Sequence, residues 1–142
     1  PNNFIGSISH SNAYASAIVG VKTEYKAIGL DIQPTSSSHI AKELKNIILT
    51  SNELNHFWNK QNYNDVFDLI FSAKETLFKA LHPVCKVYFD HQDAEVTDIQ
   101  PEKQELTIKL LTSLGSHYMK DTEFTIHFQK IEGELVSWMF IS

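Results

Sequence analysis

Within DVFDLIFSAKETLFKALHP (65–83), three side chains with chemistry crowd into six residues: Lys74, Glu75 and Lys79. At 100° per residue Glu75 and Lys79 are i,i+4 neighbours on the polar side of a helix, beside Asp68 and Ser72. Lys74 falls inside the apolar arc, between Val66 and Phe67 in angle. A plain reading makes the pair a surface ion pair worth a few tenths of a kcal/mol, with the Lys74 stem lying on apolar surface and its amine in water. A second carboxylate gives the group more reach. In KAIGLDIQ (26–33), Asp31 and Gln33 are two apart and share a strand face with Gly29. A carboxylate oxygen beside an amide oxygen is a hard-oxygen surface, and with Glu75 on the helix it could hold Mg²⁺. The plain alternative is the end of an edge strand with its polar face in water. His10, among Ser7, Ser9 and Ser11 in GSISHS, could donate to a phosphate. The other six histidines show no metal-ligand spacing, which argues against zinc.

The elements that must position these residues can be read from periodicity. AYASAIVG (13–20) reads as a buried strand whose small residues expect close packing, and KAIGLDIQ alternates cleanly until Pro34. TSSSHIAKELKNIIL then gives a helix with a stripe of Ile40, Leu44, Ile47 and Ile48. Thr50-Ser51-Asn52-Glu53 has capping-box spacing for a short helix carrying Leu54, Phe57 and Trp58. A long helix follows over about 64–81, stopped by His82-Pro83. Strands are expected at 84–89, 95–99, 105–111, 123–131 and 135–141, with Glu132-Gly133 as a hairpin turn. The class is α+β in one domain of 142 residues.

Composition narrows the partners. The net charge of -5 argues against nonspecific nucleic-acid binding, and no apolar run approaches a membrane span. One cysteine, Cys85, excludes an internal disulfide and fits the cytoplasm. All 12 basic residues are lysines. Arginine forks are the usual phosphate clamps, so phosphate would have to be held by lysine, histidine, backbone N–H groups or a metal, or by residues outside this chain.

In order, GSISHS (6–11), IGLDIQ (28–33) and FSAKETLFK (71–79) resemble the motifs of the surfactin-type and enterobactin-synthase-type 4′-phosphopantetheinyl transferases. Those motifs are a G-S-[IL]-S-H turn, a [VI]-G-[IVL]-D-[IL]-E strand and a [FW]-S-x-K-E-x-x-[FY]-K helix. KVYFDHQDAEV (86–96) loosely resembles the segment after that helix. The resemblance implies a pseudo-dimer of two α+β halves with coenzyme A in the cleft between them. This chain would supply the C-terminal half (26–142) and only the end of the first (1–20). The implied reaction moves the phosphopantetheine arm of coenzyme A onto a serine of an acyl- or peptidyl-carrier protein, leaving adenosine 3′,5′-bisphosphate. Nonribosomal peptide or siderophore assembly is the implied setting.

The resemblance also assigns roles. Asp31 and Glu75 match the Mg²⁺ carboxylates, and Gln33 stands where many members have a third. Glu75 would deprotonate the carrier serine, Lys79 would stabilise the leaving phosphate, and Lys74 would lie near the pyrophosphate. Ser9 and His10 would contact the coenzyme A 3′-phosphate. The alternative expectation is a coenzyme A- or nucleotide-binding module with little catalytic activity. Self-association through apolar surface on residues 1–20 is expected if no first half covers it.

Overall fold

A computed structural model describes residues 2–36, 38–58 and 63–142. Strands β1 (Phe4–His10) and β2 (Ala15–Val21) form a two-stranded antiparallel ribbon. The remaining strands are β3 (Ala27–Pro34), β4 (Ala94–Gln100), β5 (Glu105–Leu110), β6 (Glu123–Ile131) and β7 (Glu134–Ile141). They make an antiparallel sheet in the order β3-β7-β6-β5-β4. Helices α1 (Ser38–Ile48), α2 (Ser51–Glu53, running into a wider turn at Leu54–Trp58) and α3 (Tyr63–Cys85) lie between β3 and β4 in the chain. The α+β reading therefore holds, as do the β3 assignment, shared over residues 27–33, and the strands from β4 onward. Glu132 and Gly133 turn the β6–β7 hairpin with φ of 49° and 81°, the positive values a tight two-residue turn needs.

Helix α3 is the core. Phe67, Ile70, Ala73, Leu77, Ala80 and Leu81 are buried, together with Ile108, Leu110, Ile126 and Met139 from the sheet. Its contact with β3 is close because β3 carries Gly29: a Cβ there would lie 2.2 Å from the Thr76 carbonyl oxygen. Asp68, Ser72 and Thr76, on the side the periodicity marks as polar, are buried as well. The helix is thus buried on most sides of its middle, and its hydroxyl face meets the sheet.

β3 is the edge strand, yet its polar residues are not in water. Both of its faces are buried from Ala27 to Ile32. The ribbon crosses its open side, and two serines of β1 point inward to it: Leu30 N donates to Ser7 Oγ (3.0 Å) and Ile32 N to Ser9 Oγ (3.1 Å). Side-chain hydroxyls thereby satisfy edge N–H groups that no neighbouring strand reaches. GSISH is accordingly strand rather than turn. The turn comes at Ser11–Tyr14, where the Ser11 hydroxyl accepts from the N–H groups of Ala13 and Tyr14.

With the serines turned inward, the ribbon's outer face is apolar and open. Ile8 is 73% exposed, Val19 68% and Phe4 56%.

Four expectations are corrected. Residues 13–20 do not form a buried strand: no residue of β2 is buried, because the ribbon keeps one face open. The stripe on α1 faces outward: Ile40, Leu44 and Ile47 are exposed, and the buried face is Ala41 and Ile48, with Lys45 between them set over the Trp58 ring at 5.0 Å. The small Ala41 and a cation–π contact supply the packing there. Helix α3 runs through Pro83 to Cys85, because a proline near a C-terminus removes only one bond. It is closed by Lys86 N donating to the His82 carbonyl, with Lys86 at φ 53°. Residues 84–89 are therefore not a strand: their first two finish the helix, and the rest is irregular chain that buries Phe89 against Phe78.

Candidate active site

Asp31 sits where β3 passes α3, and it is 2% exposed. Four donors surround its carboxylate. Lys79 Nζ (2.8 Å) and Ser9 Oγ (3.3 Å) reach Oδ1; Ser72 Oγ (2.9 Å) and Gln33 Nε2 (2.9 Å) reach Oδ2. Lys79 also donates to Ser9 Oγ at 2.9 Å. Three elements distant in sequence meet here because Gly29 lets α3 approach β3 and the ribbon serines pin β1 across it.

Behind Ser72 lies a hydroxyl chain. Ser137 Oγ is 2.6 Å from both Ser72 Oγ and Thr76 Oγ1. Each hydroxyl has one hydrogen, and Ser72 gives its own to Asp31. The chain therefore runs Thr76 to Ser137 to Ser72 to Asp31, every donor aimed at the buried charge. Ser137 is the register partner of Asp31 across β3 and β7.

Glu75 lies one turn before Lys79, but the two do not pair. Glu75 Oε1 is 2.8 Å from His91 Nε2, both side chains being about 30% exposed (30% and 28%). They border a pocket of about 170 Å³ also lined by Lys74, Phe78, Tyr88 and Asp90.

Lys74 is neither in water nor free to meet a ligand. Its Nζ donates to Glu53 Oε2 (2.8 Å), the Ile48 carbonyl (2.7 Å) and the His91 carbonyl (2.6 Å). Three acceptors use all three hydrogens of an ammonium. Glu53 in turn accepts from the N–H groups of Val96 (2.6 Å, at Oε1) and Thr50 (2.8 Å, at Oε2). Burial pushes the Glu53 carboxyl up and the Lys74 amine down from their ordinary values, and each holds the other's charge in place. The capping box read from Thr50–Glu53 is formed, so the acid that caps α2 is also the buried partner of Lys74.

Of the residues singled out from sequence, the structure gathers Ser9, Asp31, Gln33 and Lys79 into one cluster. It sets Glu75 beside His91, Lys74 in a separate buried pair, and His10 exposed at the end of β1. Sequence reasoning gave Ser72 a place on the polar helix face but no role, and passed over Ser137 and His91. Ser72 carried a readable signal, lying in FSAKE about two helical turns before Lys79 and so on the same face. Ser137 and His91 carried none, since only the fold brings them near.

Asp31, Gln33 and Glu75 offer the hard oxygens that Mg²⁺ takes, so the donor chemistry fits. Among the described residues no three of His, Cys, Asp and Glu are gathered to hold a metal. Among the described residues Gln33 Oε1 and Glu75 Oε2 have no hydrogen-bond partner, whereas Lys79 already holds an Asp31 oxygen and is the donor that must withdraw for a metal there.

The sequence profile of the 4′-phosphopantetheinyl transferase superfamily matches residues 27–134. This chain belongs to that superfamily. Its members transfer phosphopantetheine to carrier proteins and generally use a divalent metal. The chain is 25% identical over 105 residues to the 4′-phosphopantetheinyl transferase PptT of Mycobacterium tuberculosis (strain ATCC 25618 / H37Rv). That match takes in 68% of this chain and 42% of the relative, so the chain spans less than half the relative's length. A crystal structure of holo-ACP-synthase from Plasmodium yoelii superposes with a TM-score of 0.48 at 17% identity, covering 82% of this chain and 93% of that one. Among the described residues no helix is long and apolar enough to cross a membrane.

Proposed function

We propose that this chain carries the catalytic half of a transferase of the surfactin and enterobactin-synthase type, which loads a carrier-protein serine with phosphopantetheine from coenzyme A. The observation that carries the reading is the Asp31–Lys79–Ser9 cluster with Glu75 one turn away, formed by the same three motifs that resemble the family. The serine oxygen attacks the phosphorus that bears pantetheine. The P–O bond to the 3′,5′-bisphosphate breaks, and the serine proton passes to Glu75. Lys79, whose side chain is 30% exposed, turns its ammonium toward the charge gathering on the leaving phosphate. Asp31 holds Lys79 in place until substrate arrives. Mg²⁺, when bound by Asp31, Glu75 and the uncharged Gln33 amide, would offset pyrophosphate charge.

His10 is exposed at the mouth of the ribbon, able to donate to the coenzyme A 3′-phosphate. The Ser9 hydroxyl is spent on Ile32, Asp31 and Lys79, so its part is to seat Lys79 rather than to meet phosphate. Lys74 contributes through the buried pair rather than as a pyrophosphate ligand. In this reading the ribbon's apolar outer face meets the first half of a pseudo-dimer, in one chain or two.

The direct test is transfer of fluorescent coenzyme A onto an apo-carrier protein, with His10→Ala compared on coenzyme A and its 3′-dephospho form. Loading that depends on Asp31 and Glu75 supports the reading; none from any preparation removes it. A binding module with little activity is the second reading. It is favoured by Gln33 in place of a carboxylate, and it predicts coenzyme A binding without transfer.

A further inference from the structure

We propose that His91 is a positioning residue for Glu75, resting on the reading that Glu75 accepts the serine proton. An ionised carboxylate can only accept, so the hydrogen between them at 2.8 Å sits on Nε2 and His91 donates. One oxygen of Glu75 is thereby held, and the side chain lines the pocket with its second oxygen bound to nothing among the described residues.

The imidazole can do this because its own place is fixed. The ring stacks on Phe71 with centroids 5.5 Å apart and planes 29° off parallel. Its carbonyl accepts from Lys74 Nζ, which the buried Glu53 anchors. Asp90 and Asp93 cap the short turn at His91–Asp93 reciprocally, at 2.8 and 2.9 Å. Gln92 Nε2 ties the same turn to the carbonyls of Ile47 and Leu49, each at 2.9 Å. A loop residue is thus held from four sides, the support a reacting group needs if its geometry is to be kept. Lys74, the misplaced lysine of the helix, belongs to that support.

Holding Glu75 also prevents a competing arrangement. Glu75 and Lys79 are i,i+4 on α3, the spacing at which a glutamate and a lysine pair. Released from His91, Glu75 can swing to Lys79 and neutralise it, withdrawing the base and the phosphate-facing cation together. His91 on one side and Asp31 on the other keep the two apart.

The test separates ring from hydrogen bond. His91→Phe retains the stack on Phe71 and loses the donor; His91→Gln retains a donor and loses the ring. In a preparation that loads a carrier, His91→Phe is expected to lower kcat by about tenfold to 10²-fold, the scale of a misplaced reacting group. The KM for coenzyme A and the thermal midpoint should stay near wild type. His91→Gln should recover most of the lost rate. Wild-type kcat in His91→Phe, or equal slowing in both variants, overturns the proposal. A second readout needs no turnover: by ¹⁵N NMR of the chain, His91 should carry its proton on Nε2, and that resonance should move in Glu75→Ala. A resonance that does not move also overturns it. Wild-type protein that loads no carrier, with the resonance moving as expected, instead removes the transferase reading and leaves the holding of Glu75 intact.

Discussion

Lys79 Nζ and Asp31 Oδ1 lie 2.8 Å apart between α3 and β3, one side chain 30% exposed and the other 4%. The buried member keeps three further donors if the lysine is lost; the lysine has a route to solvent. Lys79→Met should therefore cost about 1.5–3 kcal/mol, the range for a hydrogen bond to a charged group. It should abolish most transfer as well. Denaturant unfolding beside a carrier-loading assay checks both, and an unchanged unfolding midpoint would mean that the two residues are not paired in solution.

Glu75→Gln keeps an oxygen to accept from His91 and removes the base. The fold should be unaffected, because the side chain is partly exposed and its hydrogen bond survives. A positioned base contributes at least about 10²-fold. A variant with more than about a tenth of wild-type kcat would exclude Glu75 from that role.

Gln33 donates to Asp31 Oδ2 at 2.9 Å. Gln33→Glu replaces that donor with a second negative charge, so the variant should melt lower than wild type without metal. Mg²⁺ should raise its melting temperature by more than it raises that of wild type, and should saturate activity at lower concentration. An equal response to Mg²⁺ in both proteins would show that residue 33 does not face the metal.

Lys74→Met strips Glu53 of its cation while leaving it buried. Breaking a buried pair on one side costs about 3–5 kcal/mol. The cost should depend on pH. The folded-state pKa of Glu53 lies above its ordinary 4.5, so the native state keeps a proton that the unfolded chain releases. Stability from that proton is present below 4.5 and is lost as pH rises through the folded value. The gap between wild type and Lys74→Met should accordingly be smaller at pH 5 than at pH 8, by urea unfolding at each. A pH-independent gap would put the carboxyl's charge elsewhere.

The ribbon face of Phe4, Ile8 and Val19 predicts association. The chain as given should form dimers or larger species through that face. Val19→Lys should shift the chain toward monomer by light scattering. A monomeric wild-type chain would refute this.

Local signals fixed much of this protein. The alternation in AIGLDIQ gives β3 and puts Asp31, Gln33 and Gly29 on one face; Thr50-Ser51-Asn52-Glu53 gives the cap; Glu132-Gly133 gives the hairpin. Three short motifs in order name the family. These are properties of neighbours in the chain, set by rotation per residue and by which residues tolerate a turn. What each polar group touches was decided by the tertiary structure. Spacing alone allowed Glu75 to pair with Lys79, whereas packing sends Glu75 to His91 and Lys79 to Asp31. The stripe on α1 looked like a core face, but the helix turns Ala41 inward. Ser7 and Ser9 looked like turn residues, and burial made them the partners of an open strand edge. A buried polar group must find its complement wherever the fold supplies one, and for Asp31 the complements come from residues 9, 33, 72 and 79. Alternation links 31 to 33 and the helical repeat links 72 to 79, but only the crossing of β1, β3 and α3 brings the three segments together.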